Sequence, residues 1–88
     1  MSDQANEKTD LERSRDVISQ LKDMQHYSKT NIEKLGELWL LLGEDLKQKE
    51  AASGVEKLLT HQNAFHDALE SVVSDFEIEC NRIENEAS

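Results

Sequence analysis

The sequence predicts an all-α protein, a long antiparallel helical hairpin of coiled-coil type that a single chain does not complete. Three observations carry this reading. Proline is absent and glycine occurs only three times in 88 residues, in a chain otherwise rich in strong helix formers. Apolar residues recur at heptad-like spacing: Leu11, Ile18, Ile32, Trp39 and Leu46 at one position, Leu21, Leu35 and Leu42 at the other. No stretch alternates apolar and polar residues long enough to make a strand.

Residues 1–8 are polar and read as a disordered N-terminal tail. Thr9-Asp10-Leu11-Glu12 then has the form of a capping box, with Thr9 as N-cap and Glu12 three residues on. The heptad pattern starts there and predicts one helix over about 9–51. Gln25 and Ser28 occupy seam positions and weaken it midway. Thr30-Asn31-Ile32-Glu33 repeats the capping-box pattern, so the alternative is a three-helix bundle broken near Ser28–Thr30. The heptad phase runs through that point without slipping, which favours the single helix.

The predicted turn is 52–54, because Ser53-Gly54-Val55-Glu56 offers another capping box. A second helix over about 54–84 follows, with Val55, Leu58, Leu59, Gln62, Phe65, Leu69, Val72, Val73, Phe76, Cys80 and Ile83 spaced by threes and fours. This makes 9–84 one helical domain, with a frayed acidic tail at 85–88. Such a turn sets Trp39 against Phe65, Leu35 against Leu69, Ile32 against Val72, and Gln25 near Cys80.

The most apolar stretch is Leu35–Leu46. With Trp39 at the centre of a helical wheel, Leu42, Leu35, Leu46 and Ile32 fall within roughly 60° of it and form a core stripe. Leu40 and Leu41 point away on opposite flanks. Leu38, Trp39, Leu40, Leu41 and Leu42 thus wrap the helix in apolar surface, and such a helix is normally covered on all sides. Gly36 and Gly43, one heptad apart beside the stripe, mark a groove where another helix approaches, or else a tolerated kink. The expected interface is therefore Leu38, Trp39, Leu40, Leu41, Gly36 and Gly43. A two-helix chain this small needs a partner or a second copy to fill a core, and a homodimeric four-helix bundle is the simplest solution.

The formal net charge is -9. Residues 11–50 carry eight acids and seven bases, whereas Asp75, Glu77, Glu79, Glu84 and Glu86 face a single base, Arg82, near the C-terminal end. No basic cluster exists for a phosphate backbone or an anionic membrane, while a basic protein target is compatible. Cys80 is the only cysteine and reads as a small buried hydrophobe. His61 and His66 are spaced wrongly for a helical metal pair, and His66 with Glu70 reads as a surface pair. His26 and Cys80 lack an orienting acid or an oxyanion loop. No catalytic, cofactor or metal site is expected, and with no apolar leader segment the chain reads as cytoplasmic. The sequence therefore points to a non-enzymatic interaction module, an adaptor, scaffold subunit or chaperone-like protein. The alternative is an acidic inhibitor or antitoxin-like protein that blocks a basic surface.

Overall fold

The computed structural model describes residues 9–87. The expected tail at 1–8 lies outside the described residues, as does Ser88. Helix α1 spans Asp10–Leu40, continues through a wider π-helical turn at Leu41–Asp45, and is followed by α2, Lys49–Ala87. The two helices pack against each other as an antiparallel hairpin, and no strand occurs among the described residues.

The N-terminal cap forms as the sequence predicts. The Glu12 amide donates to Thr9 Oγ1 at 3.1 Å, and the Thr9 amide donates to Glu12 Oε1 at 2.8 Å. Two of the amides that a helix start leaves unpaired are thereby satisfied. Asp10 and Glu12 add negative charge to the first turn, which favours the positive end of the helix dipole. α1 then passes through Ser28–Thr30 unbroken, so the three-helix alternative does not occur.

The turn lies at Leu46–Gln48 and not at 52–54. The Leu46 amide donates to the Leu41 carbonyl (3.0 Å), and the Gln48 amide donates to the Leu42 carbonyl (2.7 Å). The second bond resembles a Schellman closure, widened by one residue because it follows a π turn. Lys47 stands at φ 55°, the left-handed position where helix ends usually place glycine. Lys47→Gly is therefore expected to raise the melting temperature, by about 0.5–1 kcal/mol of stability. Ala52 donates to the Gln48 carbonyl at 2.9 Å, and α2 runs straight through Ser53 and Gly54. The Ser53–Glu56 capping box is not used. At the other end, residues 85–87 are helical rather than frayed.

Moving the turn changes the register. Ser28 lies opposite Gln62 and His66, and Arg15 lies opposite Asn81 and Glu84. The expected pairings of Trp39 with Phe65, Leu35 with Leu69, Ile32 with Val72 and Gln25 with Cys80 are replaced accordingly. Leu35 instead shares a groove with Leu58 and Gln62.

The molecule measures 62 × 28 × 14 Å. Its short dimension is little more than one helix diameter of about 10–12 Å, so the hairpin is a single layer with two open faces. The buried cluster is small and lies toward the end away from the turn: Ile18, Leu69, Val73 and Cys80, flanked by Leu11, Leu21 and Phe76. Toward the turn the buried apolar residue is Ala52, close to Gly43. Ser28 is buried between these regions. It accepts a hydrogen bond from Gln62 Nε2 at 3.0 Å and lies 3.1 Å from His66 Nδ1. A hydroxyl both donates and accepts, so one serine can satisfy the amide and the ring nitrogen together.

Candidate interaction surface

The seam between the helices divides the layer into two faces of opposite character. On one face a charged ladder crosses the seam. Arg15 Nη2 donates to Glu84 Oε1 at 2.7 Å and to Asn81 Oδ1 at 3.1 Å. One heptad further on, Lys22 Nζ lies 2.6 Å from Glu77 Oε2. Both pairs are exposed, so they fix register and orientation more than they stabilise.

The other face carries two grooves. One, of ≈ 550 Å³, is lined by Leu35, Leu58 and Phe65 together with Asn31, Lys34, His61 and Gln62. The second, of ≈ 380 Å³, lies toward the open end between Asp10, Arg13, Ser14, Val17 and Phe76. Asp10, Val17 and Asn31 stand whole heptads apart, as do Arg13 and Lys34, and Ser14 and Leu35. The two grooves therefore lie on one face. Met24 and Leu38 fall in the same heptad line as Val17 and Asn31, and Val72 continues the line of Leu58 and Phe65.

Six large apolar side chains thus form two parallel stripes on this face: Val17, Met24 and Leu38 on α1, and Leu58, Phe65 and Val72 on α2. Each is between 39 and 55% exposed. Lone exposed apolar residues are ordinary, whereas two aligned stripes along one face form a patch of the kind that marks an association surface.

The interface residues expected from sequence are split by this geometry. Leu38 belongs to the apolar face, and Leu41, one heptad beyond Lys34, extends it toward the turn. Leu40 follows Leu38 by two residues, about 200° around the helix, and so points elsewhere. Trp39, 39% exposed, lies at the seam position between them. Gly36 and Gly43 stand in the heptad line of Lys22, on the charged side. A Cβ at Gly43 would lie 3.8 Å from that of Ala52, an ordinary contact, and one at Gly36 would meet nothing within 4 Å. The close approach at Gly43 is thus to the chain's own second helix.

The acidic end is largely engaged within the chain. Glu77 and Glu84 belong to the ladder. Arg82 donates to Glu79 through Nε and Nη2, and to Glu86 through Nη1 at 2.6 Å. The Arg82 hydrogen bonds hold the Glu79 carboxyl below its usual range, and the two carboxylates raise Arg82 in turn. Asp75 is exposed, two heptads beyond His61.

Cys80 is fully buried in the apolar cluster, while His26 is exposed and stacked edge-on against Tyr27. His66 Nε2 lies 3.7 Å from Glu70 Oε2. No group of three or more potential metal ligands occurs among the described residues, and no helix there is long and apolar enough to cross a membrane.

Sequence reasoning identified Leu38 and Leu41 but missed Val17, Met24, Leu58, Phe65 and Val72 as a surface. Their seven-residue spacing was the available signal. Spacings of four and three from Leu69 assigned Phe65 and Val72 to the seam, and a turn placed too late gave them the wrong partners. No protein-family model, no curated protein and no solved structure matches the chain significantly.

Proposed function

We propose that the chain is a non-enzymatic protein–protein interaction module, of the adaptor, scaffold or chaperone-like kind, that works by burying its apolar face. The observation that supports this is the pair of half-exposed stripes, Val17–Met24–Leu38 and Leu58–Phe65–Val72, on a layer one helix thick. Covering the exposed half of each side chain is worth on the order of 1 kcal/mol. Six of them supply a useful part of a binding free energy once the cost of association is subtracted. Of the residues expected from sequence, Leu38 and Leu41 belong to the turn-proximal end of this larger face, and Leu40 does not.

The reading as an acidic inhibitor or antitoxin-like protein has less support. Four of the five acids it requires already pair with Lys22, Arg15 and Arg82. A basic target would have to displace those partners.

Photo-cross-linking tests the proposal. A photoreactive side chain at Leu58 or Val72 should give covalent protein adducts in cells, and one at Asn63 or Lys29, on the charged side, should give few. Adducts confined to the charged side would overturn it.

A further inference from the structure

Resting on that reading, we infer that the occupant of the apolar face is a second copy of this chain, packed antiparallel about a two-fold axis to give a four-helix bundle. The first argument is self-complementarity. Each helix contributes one apolar stripe on heptad lines, interrupted on α1 by Asn31, to a face long enough to run beside its own copy. A two-fold axis midway between the levels of Met24 and Phe65 lays Leu38 of one copy over Val17 of the other, and Leu58 over the second helix at the open end. The grooves toward the turn and toward the open end thereby cover each other.

Area is the second argument. Six large side chains exposed by 39 to 55% present on the order of 500 Å² of apolar surface. Adding Leu41 and the aliphatic stems of Lys34 and Arg13 brings this near the roughly 800 Å² per partner of a stable interface.

Charge is the third, and it chooses the orientation. Two copies of a chain with net charge -9 repel unless their acids lie away from the contact. Glu77 and Glu84 lie on the opposite face, held by Lys22 and Arg15. Glu79 and Glu86, which continue the line of Leu58, Phe65 and Val72 at the open end, are both paired with Arg82. On the apolar face Lys34 and His61 stand toward the turn, and Asp75 stands toward the open end. An antiparallel two-fold stacks each helix on its own counterpart, and so sets Asp75 of each copy beside His61 of the other. Parallel packing stacks α1 on α2 and sets Lys34 beside His61, with no acid between them.

Light scattering and sedimentation on the purified chain should give twice the 10.1 kDa chain mass, with a melting temperature that rises with concentration. Leu58→Lys with Phe65→Lys should abolish the dimer, and Lys29→Gln on the charged side should not. His61→Asp should weaken association roughly tenfold by facing Asp75, and adding Asp75→Lys should restore it, since each change acts twice in a symmetric dimer. In a parallel dimer His61→Asp would face Lys34 and strengthen association instead. The charge exchange remains informative even if the double-lysine variant does not fold. A mass of 10.1 kDa and a concentration-independent melt overturn self-association. The interaction reading then stands or falls on whether cross-links from Leu58 reach another protein. A dimer that survives the double-lysine substitution overturns the surface, and charge changes without rescue overturn the antiparallel arrangement.

Discussion

The two broad faces of this hairpin share one heptad repeat and differ in what they do with it. On one face the repeat places Arg15 and Lys22 across from Glu84 and Glu77, and the contacts are made within the chain. On the other it places Val17, Met24 and Leu38 beside Leu58, Phe65 and Val72, all partly exposed. The first face records which way the hairpin folds. The second has apolar area left over. In a two-helix layer the seam can bury only one stripe from each helix, so any further apolar stripe must remain on the surface or meet another molecule.

Substitutions beneath and on the faces separate these roles. Leu69 lies in the seam and is 6% exposed, so Leu69→Ala should cost about 2–5 kcal/mol in thermal or denaturant unfolding, at any protein concentration. Leu58, 55% exposed, should lose under about 1 kcal/mol in dilute protein and more as concentration rises. Equal, concentration-independent losses would erase the distinction between seam and face. Ser28→Ala leaves Gln62 and His66 without their shared partner and should cost about 1 kcal/mol by denaturant titration. A neutral result would mean that solvent satisfies both groups.

Effects on the charged face are smaller. A double-mutant cycle between Lys22→Ala and Glu77→Ala should give a coupling of about 0.2–1 kcal/mol that shrinks with added salt. A coupling larger than any loss on the apolar face would reverse the comparison. Smallest is the effect of the Arg82 cluster, which lies at the open end of the apolar face. The Glu79 carboxyl is lowered by the Arg82 hydrogen bonds, so its contribution is present above the unfolded carboxylate pKa and is lost as pH falls through the folded one. The melting temperatures of wild type and Arg82→Gln should differ slightly near neutrality and converge in acid. A gap that widens in acid would contradict this assignment.

The fold class was legible because it rests on spacing. The Thr9–Glu12 box forms as read, and the unbroken phase through Ser28 predicts one continuous α1. The turn was not legible. Ser53–Glu56 is as well formed a capping box as Thr9–Glu12, yet the helix passes through it, carried by Ala51 and Ala52 and started at Gln48. The actual turn places Lys47 at positive φ, where the sequence offers no glycine to mark it. Phe65 and Val72 entered the expected core because they stand four and three residues from Leu69, a spacing that does not separate a seam from its flank. Leu38 and Leu41 were found because apolar excess within one turn of helix does not depend on register. The Ser28–Gln62–His66 layer was missed because pairing across the seam does depend on it.

Hydroxyl-radical footprinting of side chains across a dilution series tests the central claim most directly, because it reads each face separately. The account predicts that Met24 and Phe65 become protected as concentration rises, while His26, on the other side of α1, stays equally reactive throughout. Protection of His26 with Met24 and Phe65 unchanged would contradict it, as would reactivity at all three that never varies with concentration.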